Sequence, residues 1–163
     1  MQMHIRRLTD EFAVAATPAP ADFDALYAAG FRTVINFRPD GESLGQISSR
    51  SLSAHARDAG LRYVDVPASK FELFTSPVVD GAHVVLKSAQ GPVLGFCASG
   101  QRAAMVWAAA RARDHAVDQV LGVLKSSGFD FSFLRDDLEA QADRSNWHHA
   151  DSTTPQFNAF EPA

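Results

Sequence analysis

The chain's single cysteine, Cys97, is separated from Arg102 by Ala98, Ser99, Gly100 and Gln101. That spacing can wrap an anion-binding loop around a nucleophile. Small residues let the backbone curl until several amide N–H groups face one point, and a helix starting just after them aims its positive end there too. Arg102 adds a planar, permanently charged fork. A thiol in such surroundings is held as the thiolate, the form that attacks. Cys97 therefore reads as the nucleophile, Arg102 as its anion-stabilising partner, and Ala98, Ser99, Gly100 and Gln101 as the cradle for a substrate oxyanion. The competing reading is a small buried cysteine at a strand end, as free cysteines often are. Context favours the working thiol: an apolar run, Pro92-Val93-Leu94-Gly95-Phe96, precedes the loop, and a helix-like run beginning Ala103-Ala104-Met105-Val106-Trp107 follows it. Met105 and Trp107 read as core residues packing that helix on a sheet.

A loop of this kind needs a strand behind it and a helix in front. Three β-branched or apolar runs recur at the spacing of a strand plus its crossover helix: Thr33 to Arg38, Arg62 to Pro67, and Pro92 to Phe96. Each follows a helix-like stretch closed by a glycine (Gly30, Gly60, Gly91), with Phe31 or Leu61 supplying the apolar contact that follows a helix cap. A further strand is expected at Phe12 to Ala16. After Cys97 the pattern is helical: Ala103 to Asp114, Val117 to Ser126 capped by Gly128, and Phe133 to Asp143. The expected fold is therefore α/β, a mainly parallel central sheet flanked by helices, with Cys97 at a C-terminal strand end where such sheets bind ligands. Residues 1–146 read as one domain and 147–163 as a polar C-terminal tail.

Other strand ends supply the surroundings. Arg38-Pro39-Asp40-Gly41-Glu42 contains a turn former, which places Arg38 and Asp40 near the rim, to orient substrate or brace the loop. The stretch from Pro67 to Glu72 is a candidate lid, with Lys70 or Glu72 facing substrate. The six histidines share no metal-ligand spacing with Cys97 or with acidic residues, so neither a metal nor another cofactor is expected. His83 and His115 read as helix-surface residues.

The 163 residues, 46% of them hydrophobic, suit a single core, and a net charge of −4 without any Lys/Arg stripe argues against a nucleic-acid binder. No apolar run approaches the roughly 18 residues of a membrane helix and no signal-peptide core follows Met1, so a cytoplasmic location is expected.

From about residue 8 to 125 the chain resembles a bacterial family, the phosphatase-like sulfurtransferase domain found alone or ahead of the metallo-hydrolase domain in beta-lactamase-like hydrolase proteins linked to persulfide oxidation. The resemblance rests on Gly30-Phe31-Arg32-Thr33-Val34-Ile35-Asn36 running into Arg38-Pro39-Asp40-Gly41-Glu42. It continues through Ala59-Gly60-Leu61, Tyr63-Val64 and Pro67 to Gly91-Pro92-Val93-Leu94 and then Cys97, Ser99, Gly100 and Arg102. It implies a dual-specificity-phosphatase-like fold with a catalytic loop of rhodanese length. Two positions depart from the family: Ala98 stands where Arg is usual after the cysteine, and Gln101 where Thr is usual before the loop arginine. Losing a cation at the mouth bears directly on which anionic donor fits.

Three functions remain open at this level. Cysteine phosphatases place five residues between Cys and Arg, follow the Arg with a hydroxyl, and carry a general-acid Asp; this chain has four residues, then Ala103. One residue fewer shortens the loop by up to about 3.5 Å of chain and removes an amide donor. A phosphatase-like hydrolase would have to draw its proton from Glu72, Asp65 or Asp40. Sulfur transfer needs no strong acid when the leaving group is a stable anion: Cys97 takes sulfur as a persulfide and an external nucleophile removes it. The favoured reading is thus a rhodanese-type sulfurtransferase using a small anionic or thiol sulfur donor and an external thiol acceptor, because no second cysteine is present. A persulfide-oxidising metallo-hydrolase is a further partner implied by the resemblance. The alternatives are a phosphatase-like hydrolase and a non-enzymatic anion or persulfide binder.

Overall fold

The computed structural model describes the backbone of residues 3–153 and the side chains of residues 3–145. Five strands form one sheet: β1 (Ile5–Arg7), β2 (Phe12–Ala16), β3 (Thr33–Asn36), β4 (Arg62–Asp65) and β5 (Val93–Cys97). Their order is β1-β2-β5-β3-β4, with β1 antiparallel and all other neighbours parallel. The helices are α1 (Asp22–Ala28), α2 (Ser49–Asp58), α3 (Ser76–Ser88), α4 (Gln101–Ala112), α5 (Val117–Ser126) and α6 (Arg135–Thr153), with a short 3-10 turn at Ser132–Leu134 before the last. The expected parallel α/β sheet is present.

The period-2 alternation of the strands sorts side chains onto two cores. Ala13, Ala15, Val34, Leu94 and Phe96 face α1 and α2, where they meet Phe23, Leu26, Leu52 and Ala56. Phe12, Val14, Ile35, Val93 and Cys97 face the opposite core, built with α3 to α6. Both β3 and β5 are buried along their whole length, which explains their unbroken apolar composition. Crossovers explain the distribution of helices. From β2 to β3 and from β3 to β4 the chain steps in one direction and α1 and α2 share a face; from β4 back to β5 it reverses, and a right-handed connection puts α3 on the other face. The sheet therefore switches sides around β5, and the cleft such a switch opens lies at the C-terminal end of β5, at Cys97.

Helix ends follow the sequence signals with one exception. Gly60 has φ +93° and its N–H bonds Arg57 O, while Leu61 N–H bonds Ala56 O, the pairing of a glycine-capped helix end. The third helix differs: Ala89 is already extended (φ −67°, ψ 133°), so Gly91 belongs to the turn into β5 instead of capping α3. Strand β1, which carries two arginines in three residues, has no apolar pattern to reveal it. Its arginines lie over aromatic rings, Arg6 at 4.6 Å from the Phe129 centroid and Arg7 at 5.1 Å from Phe31, so their stems cover the edge of both cores. Helix α6 continues past Trp147 to Thr153, and the remainder of the expected tail lies outside the described residues.

Candidate active site

Cys97 closes β5 and is fully buried; Ala98 and Ser99 lie exposed at the surface, and Gly100 begins α4. The turn depends on Gly100. Its φ is +93°, a left-handed conformation that L side chains rarely adopt, and a Cβ there would stand 3.3 Å from the Ala15 backbone. This tight approach aims the Gly100 N–H at the Cys97 Sγ, 3.1 Å away. The sulfur thus sits at the positive end of α4, facing an amide donor, as the spacing suggested. Gln101 is exposed, with its N–H 3.4 Å from the Ser99 hydroxyl. Ala103 is fully buried against the sheet, so no hydroxyl follows the arginine.

Arg102 is held from two directions. One Nη donates to the Ala68 carbonyl at 2.8 Å, and the two Nη groups meet Glu42 Oε1 and Oε2 at 2.8 and 2.9 Å. Its surroundings also include the Cys97 sulfur. Burial by itself would lower the Arg102 pKa, but the Glu42 hydrogen bond and the negative charge of Cys97 and Glu42 outweigh it and raise the value. Ala68 lies after β4 and Glu42 after β3, so one guanidinium ties both neighbouring loops to the Cys97 loop. Lys70 stands 5.1 Å from the Phe71 ring centroid, and the Glu72 N–H bonds Ser69 O in the turn that follows.

Arg38 reaches the site through a hydroxyl. Its Nη1 is 3.3 Å from Thr17 Oγ1, and Thr17 donates to the Cys97 carbonyl at 3.0 Å. Its Nη2 donates to Ser43 Oγ at 2.8 Å, and its Nε is buried without a protein acceptor. Two of the three acidic residues weighed as proton donors are turned elsewhere, and the third, Glu72, is exposed. Asp40 accepts the Ser49 N–H at 2.7 Å at the start of α2, and Asp65 accepts the Ser49 hydroxyl. Ser49 also contacts Tyr63 Oη (2.9 Å) and the Asn36 amide (3.2 Å). Asp40 and Asp65 therefore brace the β3–α2 connection. Glu42, Ala68 and Thr17 are the participants that sequence reading missed. Glu42 lay within the quoted Arg-Pro-Asp-Gly-Glu run, and only its pairing with a residue 60 positions away gives it a place in the site.

Of the two histidines read as surface residues, His83 is partly covered and bonds Asp114 at 2.7 Å, while His115 is exposed. Among the described residues no group of three His, Cys, Asp or Glu side chains is placed to hold a metal ion, and no helix is long and apolar enough to cross a membrane.

A five-stranded α/β sheet with a cysteine at its switch point, an amide on the sulfur and an arginine closing the loop defines a cysteine-phosphatase-like domain. Residues 4–114 match the family model described as the phosphatase-like domain of beta-lactamase hydrolase-like protein, and the chain belongs to that family. The beta-lactamase hydrolase-like proteins of Agrobacterium fabrum (strain C58) and Xylella fastidiosa (strain 9a5c) are 31% and 32% identical over 83% and 86% of this chain. The chain spans about a third of the length of these relatives (32% and 33%). A presumed phosphatase from Neisseria meningitidis Z2491 has the same fold at a TM-score of 0.71 and 22% identity, over 84% of this chain and 97% of that one. A kinase associated phosphatase with its catalytic cysteine replaced by serine aligns at a TM-score of 0.64 and 16% identity, covering 90% of this chain and 97% of that one.

Proposed function

We propose that the chain is a Cys97-dependent sulfurtransferase. The observation that carries this reading is the disposition of the acids around the loop: Asp40 and Asp65 are both committed to Ser49, Glu42 is committed to Arg102, and Glu72 stands exposed on the turn after β4. Phosphoester cleavage needs a proton for its alkoxide or phenoxide, whereas a sulfur donor with a stable anionic leaving group needs none. The Cys97 thiolate attacks the outer sulfur of the donor. The donor's sulfur bond breaks with its electron pair on the leaving group, and Cys97 becomes a persulfide beside the Gly100 amide and Arg102. An external thiolate then attacks the outer sulfur, regenerating the Cys97 thiolate and carrying the sulfur away as its own persulfide. The chain has no second cysteine to do this. A persulfide-oxidising metallo-hydrolase as the next enzyme follows from the family resemblance.

This chain's shared fold with proteins named as phosphatases favours the second reading, hydrolysis of a phosphoester at the same cysteine. One experiment separates the two. Intact-protein mass spectrometry after incubation with thiosulfate or glutathione persulfide, beside Cys97→Ser and a para-nitrophenyl phosphate assay, is expected to show one added sulfur on the wild type alone. Cys97-dependent phosphate release without that gain would make the protein a phosphatase. Silence in both assays would make it a binding module.

A further inference from the structure

The charge balance of the Cys97 site turns on Glu42. A guanidinium carries five N–H donors. In Arg102, two Nη contacts go to Glu42 and one to the Ala68 carbonyl. At most two donors, the Nε–H and one Nη2–H, are left for a bound anion. The Glu42 carboxylate also cancels the positive charge of the fork at close range, where partial burial limits screening: 15% of the Arg102 side chain and 30% of Glu42 is exposed. Nothing on the loop compensates, since Ala98, Ser99, Gly100 and Gln101 are all uncharged. The neighbouring guanidinium, Arg38, contacts the loop through the Thr17 hydroxyl. A donor therefore meets a thiolate opposed by amide dipoles, by a fork that Glu42 neutralises and, one hydroxyl away, by Arg38, and the Glu42 charge adds repulsion for every extra negative charge on the donor.

We propose that Glu42 is the specificity-determining residue of this site, selecting sulfur donors with one negative charge, of the thiosulfonate class, over doubly charged donors such as thiosulfate. This deepens the sulfurtransferase reading and rests on it. The step balances for both classes. The thiolate and R–SO2–S⁻ give the Cys97 persulfide anion and the sulfinate R–SO2⁻; with thiosulfate the same attack releases sulfite, SO3²⁻. The two donors offer the same outer sulfur and differ in charge, so their ratio reads the electrostatics of the cup.

The test compares kcat/KM for methanethiosulfonate and for thiosulfate in the wild type, Glu42→Gln and Glu42→Asp, with cyanide as the common acceptor. Intrinsic reactivity of the donors cancels when the ratio is compared between proteins. Glu42→Gln keeps an oxygen for Arg102 and removes the charge, so thiosulfate should gain on methanethiosulfonate by about tenfold. Glu42→Asp keeps the charge and should keep the wild-type ratio, even where overall activity falls. A ratio unchanged in Glu42→Gln overturns the proposal while leaving sulfur transfer in place. If no sulfur is added to Cys97 from either donor, the sulfurtransferase reading itself fails, and this inference with it. A measurement on the wild type alone guards against a variant that does not fold. Methanesulfonate and sulfate share a tetrahedral shape but differ by one charge, and methanesulfonate should be the stronger competitive inhibitor by about tenfold; sulfate binding as tightly or more tightly counts against the proposal.

Discussion

The Thr17 hydroxyl donates to the carbonyl of Cys97 at 3.0 Å, across 80 residues of sequence. The same oxygen is the acceptor for Arg38 Nη1, so one hydroxyl fixes the end of β5 and holds a guanidinium beside the loop. Replacing Thr17 by Val removes both bonds without changing side-chain shape much and leaves partly buried groups without partners. Stability should fall by about 1–2 kcal/mol in chemical denaturation, and the persulfide formation proposed for Cys97 should slow. Thr17→Ser, which keeps the hydroxyl, should restore both. Equal losses in the two variants would show that the methyl group, not the hydrogen bonds, is what matters.

Gly100 combines a left-handed backbone with a 3.3 Å approach to Ala15. Gly100→Ala should therefore cost about 1–3 kcal/mol of stability and displace the amide that faces the Cys97 sulfur. Activity should fall further than stability accounts for, measured as turnover at a temperature where the variant is fully folded. Wild-type turnover in Gly100→Ala would remove this amide from the chemistry.

Gly95 lies at the middle of β5, where Phe12 and Phe37 close over it. A Cβ there would come within 2.8 Å of Phe12 Cζ and 3.0 Å of Phe37 Cε2. Gly95→Ala should destabilise the fold by about 1–3 kcal/mol through overpacking, seen as a lowered Tm. Trimming one of the two rings in the same chain, as in Phe37→Leu, should make the added methyl less costly than it is alone. Strictly additive losses would place the strain elsewhere.

Tyr63 predicts an alkaline weakness. Burial is the largest influence on its phenol and raises the pKa from 10.0 to about 12; hydrogen bonds to Ser49 and Asn36 pull the other way, and the nearby Asp65 and Asp40 charges add to the rise. The folded state therefore holds this proton more tightly than the unfolded chain does. Its contribution is fully present below about pH 10 and is lost as pH rises toward about 12, to the extent of roughly 2–3 kcal/mol. Unfolding measured across that window should show the decline in the wild type and a shallower one in Tyr63→Phe. Parallel declines would assign the alkaline loss to other groups.

Much of the architecture is legible in the sequence because its signals are local. The β-branched runs at Thr33–Asn36 and Arg62–Asp65, the apolar β5 and the glycine after α2 each fix an element from neighbouring residues. The loop from Cys97 to Arg102 is equally local, so the approach of Gly100 to the sulfur follows from small residues placed before a helix. Strand β1 escaped because arginine stems, not apolar side chains, cover its part of the edge.

The sequence by itself determined which residues form the loop from Cys97 to Arg102 and that a parallel sheet stands behind it. The tertiary structure alone decided what the loop's surroundings do. Asp40, expected at the rim to orient substrate or brace the loop, accepts the Ser49 N–H at the start of α2, whereas Glu42, two residues further on, pairs with Arg102. That pairing depends on strand order, which puts β3 directly beside β5 and β4 just beyond β3. Periodicity can tell which face of a strand is buried, but the meeting of Glu42, Ala68 and Thr17 with the Cys97 loop comes from long-range packing, where no pattern of neighbouring residues records the partner.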